Sequence, residues 1–174
     1  MVAAVPVVRV PRERRALVES VAASIGPVRG RRIVVVDGDD PVTGRRFADE
    51  LAAVLGEQGA AVFRASMDGF RGRADGDERF PRSFADDAFR RSLVEPFLLG
   101  GSTAFVPAVV DAQRGTWIEP RWLTGPADAV LVLDGDALER DDLRELDAGT
   151  VTGVWVATAD GRSAPGPASI VVRA

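Results

Sequence analysis

Cysteine, histidine, tyrosine and lysine are all missing from this chain. Without cysteine there is no disulfide and no thiolate nucleophile. Without histidine there is no imidazole for acid–base work, and zinc sites of the Cys/His kind are excluded. Without lysine, all 22 basic residues are arginines. A GC-rich genome explains arginine for lysine on a surface. No run approaches the roughly 18 to 20 apolar residues that cross a bilayer. The opening MVAAVPVVRVPRERR turns basic too soon for a signal peptide. A soluble, cytoplasmic protein is expected, with no membrane role. The net charge of −4 is spread over both signs without a basic stripe, so nucleic-acid binding has no support.

What is present fits one α/β domain over residues 1–174, with 46% apolar residues for a core. The organising stretch is 33–55, IVVVDGDDPVTGRRFADELAAVL. Ile33 to Val36 is a β-branched run of the buried-strand type. Phe47, Leu51, Val54 and Leu55 share one helical face. Similar reasoning predicts strands at 33–37, 61–65, 129–133, 151–157 and 168–172. It predicts helices at 11–25, 83–99 and 136–146, and connections long enough for parallel crossovers. The segments 104–111 and 116–120 read as a β-hairpin around Gln113-Arg114-Gly115. The tryptophans there, Trp117 and Trp122, are expected to cover a core edge.

Strand, glycine-bearing loop and helix start is the order in which phosphate loops are built. Backbone amides at the helix start face the anion there, and a lysine clamps the outer phosphates. The pattern G-x-x-x-x-G-K-[ST], counted from Gly38, puts Thr43 at the second glycine, Gly44 at the lysine and Arg45 at the hydroxyl. With one residue inserted, Gly44, Arg45 and Arg46 take those places. Neither register restores the motif. Asp39 adds a carboxylate beside the phosphate space, and Pro41 removes an amide donor.

VDGDDPVTGRRFADELA nonetheless resembles the loop of uridine-kinase-like P-loop kinases, close to VDGxDGxGKTTFADELA. The match runs through Val36, Asp37, Gly38, Asp40 and 47–52. The resemblance implies a three-layer P-loop NTPase/kinase-like fold: a mostly parallel five-stranded sheet, helices on both faces and a small hairpin insertion at about 104–120. It implies phosphate-side roles for Gly38, Asp40, Thr43, Gly44, Arg45 and Arg46. SMDGF looks like the family's S-x-D-x-F, which makes Asp68 the counterpart of the general base at the acceptor hydroxyl. SFADDAF is similar to the acceptor-binding segment, with Asp87-Ala88-Phe89 matching D-A-F. Its sugar-binding aspartate is replaced by Ala85, with Asp86 one residue on. Asp111 matches a substrate-side acid whose following histidine is Ala112. Asp134, after AVLVL, resembles the acid that supports magnesium. The arginine-rich lid that follows the next strand is reduced to TADGRSAPGP at about 158–167, with Arg162 the basic residue left.

Two functions stay open. In one, the scaffold has lost efficient phosphoryl transfer and binds a protein or a small anionic ligand, with a homodimer covering surface freed by the lost lid. In the other, Arg45 or Arg46 replaces the lysine, Asp68 is the base, Asp134 holds Mg2+, and ATP phosphorylates a nucleoside or similar hydroxyl compound.

Overall fold

The computed structural model describes residues 12–71, 82–158, 164 and 168–173. In chain order these form α1 (Arg12–Ile25), β1 (Arg31–Gly38), α2 (Pro41–Glu57), β2 (Val62–Ser66), a 3-10 turn (Met67–Gly69) and α3 (Arg82–Phe89). A π turn (Arg90–Val94) leads to α4 (Glu95–Leu99). Then come β3 (Val110–Asp111), β4 (Thr116–Trp117), β5 (Ala129–Asp134), α5 (Asp141–Arg144), β6 (Val151–Ala157) and β7 (Ile170–Arg173).

The five main strands make one sheet, ordered β2-β5-β1-β6-β7, and every pairing in it is parallel. This is the α/β sheet expected from the strand pattern, with strand ends shifted by at most two residues. β1 sits in the middle, and Ile33 to Val36 are fully buried. Both faces of a parallel sheet are covered, so continuous apolar runs are what such strands require. On one face, Val34, Val36, Val132 and Val156 pack against Phe47 and Leu51 of α2 and Val18 of α1. On the other, Ile33, Val35 and Leu131 meet Phe89, Leu93, Phe97 and Phe105. Phe63, Phe97 and Phe105 form an edge-to-face trio with centroids 5.0–6.3 Å apart, a favoured aromatic geometry.

The single helix expected over 83–99 is broken by a π turn, and Pro96 explains it. Proline has no N–H for the carbonyl four residues back, and its ring pushes that carbonyl aside. The freed Ser92 carbonyl accepts from Val106 N at 2.7 Å, which ties the loop after α4 to the helix. The helix expected over 136–146 shrinks to four residues. Gly135 (φ 102°) and Asp136 (φ 52°) hold left-handed backbone after β5, which glycine and aspartate tolerate best. The hairpin is also shorter than expected, with two residues per strand, extended by a bridge between Phe105 and Leu123.

Trp117 and Trp122 do not cover the core edge as predicted. They are 45% and 64% exposed. Alternation puts neighbouring residues on opposite sides of an extended chain. Leu123 turns inward at 7% exposure, so Trp122 turns out.

Candidate functional site

Ligands of open parallel sheets gather outside the carboxyl ends of the strands, where successive crossovers diverge. β1 connects to β2 past one side of β5, and β5 returns to β6 past β1. The shared register aligns Val36 and Ser66 with Asp134. Three strands therefore deliver Asp37, Asp134 and Ser66 to one mouth, and the 3-10 turn adds Asp68.

Asp134 is the centre of the charge network there. It is 2% exposed, and both of its oxygens are taken by the protein's own groups. Arg64 Nη2 donates to Oδ1 at 2.8 Å, and Ser66 Oγ donates to Oδ2 at 3.1 Å. Arg45 Nε approaches Oδ2 at 3.4 Å, and Arg45 Nη2 also pairs with Asp68. Arg64 itself is fully occupied. Its Nε and Nη2 donate to Asp49 of α2 at 2.9 and 2.7 Å, and Nη1 donates to the carbonyls of Ala65 and Val132. Guanidinium forks suit such multiple bonding. Asp49, Arg64, Asp134, Arg45 and Asp68 thus form one chain of ion pairs. Sequence reasoning missed Arg64, Asp49 and Ser66. The signal was the lone arginine inside the apolar strand AAVFRA, since a buried charge needs a partner.

The junction of β1 and α2 has only Asp39 and Asp40 between the elements. Asp40 is the N-cap. Its carboxylate accepts from Thr43 N at 2.9 Å, from Thr43 Oγ1, and from Val42 N at 3.4 Å. Pro41 opens the helix, where its missing N–H costs nothing. Asp39 points elsewhere than expected. It accepts from Thr158 N at 3.0 Å and Thr158 Oγ1 at 3.0 Å, pinning the turn to the end of β6. Gly44 lies in the second turn of α2, and its N–H bonds Asp40 O at 2.9 Å. Arg46 runs along the helix to Glu50, which is 1% exposed and also meets Arg14. The residues expected to line one phosphate loop therefore part ways: Asp40 and Thr43 cap, Arg45 enters the cleft, and Arg46 pairs along α2.

Among the solved structures that share this architecture are two described as kinases. One is a possible uridine kinase from Bacillus stearothermophilus, matched at TM-score 0.62 and 16% identity over 92% of this chain and 99% of that one. The other is a candidate fructose transport system kinase from Silicibacter sp. TM1040, at TM-score 0.55 and 22% identity over 82% and 73%. The fold is P-loop kinase-like. No protein-family model and no curated protein matches the chain.

Within that P-loop kinase-like fold, the cleft between β1, β5 and the 3-10 turn measures about 120 Å³, below the roughly 300–1,000 Å³ typical of small-molecule pockets. Its charged lining is Asp37, Asp68, Asp134 and Asp136 against Arg45 and Arg71. Among the described residues no group of three acidic side chains is arranged to hold a metal. The substrate-side candidates are engaged elsewhere. Asp86 pairs with Arg140 at 2.6 Å, and Asp111 accepts from Gln113 N and Arg114 N in its own turn. Asp87 is exposed. Arg162 and all of 72–81 lie outside the described residues, as does all but Thr158 and Ala164 of 158–167. No helix among the described residues is long and apolar enough to cross a membrane.

Two carboxylates of the junction titrate in opposite directions. Burial raises Asp37 above the ordinary 3.8, although Leu138 N donates to it at 2.7 Å and Gly135 N at 3.2 Å. The Thr43 hydroxyl and amide hold Asp40 below it. Asp37 therefore favours folding most below pH 3.8, and that share is lost as pH rises through its raised value. Asp40 contributes above pH 3.8, and its share is lost as pH falls through its depressed value. Carbon-detected NMR titration should give Asp37 the higher midpoint; the reverse order contradicts the assigned contacts.

Gly44 supplies a second check. A Cβ there would meet only ordinary contacts, the nearest being Gly38 N at 3.5 Å. Gly44→Ala should therefore stabilise the protein by about 0.5–1 kcal/mol through helix propensity, read as a higher urea midpoint. A loss of stability would mean that this position is not ordinary helix.

Proposed function

We propose that this chain retains the framework of a small-molecule kinase, has lost efficient phosphoryl transfer, and acts as a binding or regulatory protein. One observation carries the reading: the amides at the start of α2, which a phosphate loop offers to the nucleotide, are given to the chain's own Asp40. Phosphate at that helix end must displace an internal carboxylate or sit beside it. Two unit charges about 6 Å apart repel by roughly 3 kcal/mol at an effective dielectric of 20. A two-residue turn is also too short for the G-x-x-x-x-G-K-[ST] cradle. There is no lysine to offset the repulsion, and Arg45 is directed to Asp68 and Asp134.

ATP and Mg2+ do not fit the residues present. Asp134, the metal candidate, already meets two guanidinium groups and a hydroxyl. Phosphoryl transfer depends almost wholly on positioning and charge neutralisation, and removal of one such donor costs on the order of 3 kcal/mol of transition-state stabilisation in other enzymes. The four acids against two arginines in the cleft disfavour a small anionic ligand, which leaves a protein partner as the reading.

The convergence of Arg45, Asp68 and Asp134 supports one alternative. In it Arg45 takes the lysine's place and Asp68 accepts the proton of a nucleoside-like hydroxyl. Incubation with ATP–Mg2+ and a panel of nucleosides separates the two. The binding reading expects no transfer above that of Asp68→Asn, whereas turnover that Asp68→Asn abolishes establishes the kinase.

A further inference from the structure

A second cavity lies away from the strand-end cleft, between β1 and β6 on one side and the segment carrying α5 on the other. Its volume is about 340 Å³, within the roughly 300–1,000 Å³ that small-molecule sites occupy. The floor is Val35 with Gly153, its register partner. A glycine inside a central strand weakens the strand and leaves open space beside it. Leu143, which is 2% exposed, forms part of the opposite wall.

Two polar residues at this cavity can donate, and both are exposed. Arg144 and Ser169 line it. Arg144 has a long contact of 3.8 Å to Asp141, which is 92% exposed, a pairing worth little. The surrounding charge argues against an anion as the occupant. Residues 139–147 carry five acids, Glu139, Asp141, Asp142, Glu145 and Asp147, against Arg140 and Arg144.

We propose that this cavity binds a compact, uncharged, mainly apolar molecule whose carbonyl-type oxygen accepts from Arg144. The apolar walls take the body of the ligand, and the net negative charge of residues 139–147 disfavours its carboxylate analogue. The site is separate from the strand-end cleft and does not depend on what that cleft does.

Benzamide and benzoate are the test pair, titrated into the full chain and followed by methyl NMR. Benzamide should give saturable shifts at Val35 and Leu143, and benzoate should bind more weakly. Arg144→Leu should weaken benzamide by roughly tenfold, the worth of a hydrogen bond to a charged donor. Gly153→Val should fill the cavity and abolish binding while the remaining methyl spectrum stays folded. If that variant does not fold, the Arg144→Leu result decides alone. Any of four results overturns the proposal: no saturable shift with benzamide, tighter binding of benzoate, shifts that map to the cleft at Asp68 instead, or unchanged benzamide affinity in Arg144→Leu.

Discussion

Asp134→Ala is expected to lower the unfolding free energy by about 3–5 kcal/mol, the usual cost of stranding one partner of a buried ion pair. The reason is Arg64. Its side chain is 14% exposed, and Asp134 and Asp49 are its two carboxylate partners. Without Asp134, one guanidinium edge and the Ser66 hydroxyl lose their acceptor, and Arg45 keeps only the exposed Asp68. Asp134→Asn should cost less, because one carbonyl oxygen still accepts. Pairing Asp134→Leu with Arg64→Met should recover much of the loss, since an apolar pair of similar volume often replaces a buried ion pair at little cost. Urea unfolding of the single and double variants measures this. A loss below about 1 kcal/mol for Asp134→Ala would place the carboxylate in water, as for an exposed pair.

Gly38→Ala should cost about 1–3 kcal/mol, the usual cost of overpacking. The added Cβ would stand 2.6 Å from Val156 O and 3.5 Å from Asp40 O. Both are backbone atoms, so neither can swing aside as a flexible side chain would. Relief requires β1 and β6 to separate or the Asp39-Asp40 turn to shift. The second route breaks the Asp39 contacts to Thr158 and the Asp40 cap together. Hydrogen exchange at Asp39 N, which bonds Val156 O at 3.3 Å, should speed up in the variant. Unchanged stability and unchanged exchange would show that the turn is looser than described. The contrast with Gly44→Ala is informative: two glycines six residues apart should respond with opposite signs.

Much of the sheet was legible because burial on both faces leaves a direct trace. IVVV and AVLVL are continuous apolar runs, and both became central strands. The end-of-strand acids were legible too, since Asp68 and Asp134 arrive where open sheets place ligands. The junction between β1 and α2 was harder, because two signals overlap in DGDDPVTG. The glycine spacing reads as a phosphate loop over 38–46. Asp40-Pro41 reads as N-cap followed by first helical residue, and this local chemistry determines where α2 begins. The direction of Asp39 was not legible, since its partner Thr158 lies 119 positions away. Arg64 and Asp134 are likewise distant in the chain and meet only because β2 and β5 pair. The outward turn of Trp122 depended on a bridge to Phe105 that periodicity over so short a segment does not specify.

Isothermal titration of the intact protein with ATP–Mg2+, accompanied by thermal unfolding, is the most direct test. A helix end already satisfied by Asp40 should return no binding heat and no rise in melting temperature with nucleotide. A site occupied at a hundredfold excess over its dissociation constant would instead add about 2.7 kcal/mol of stability. A saturable heat of that kind, lost when Arg45 is replaced by alanine, would contradict the self-capped junction and restore the kinase.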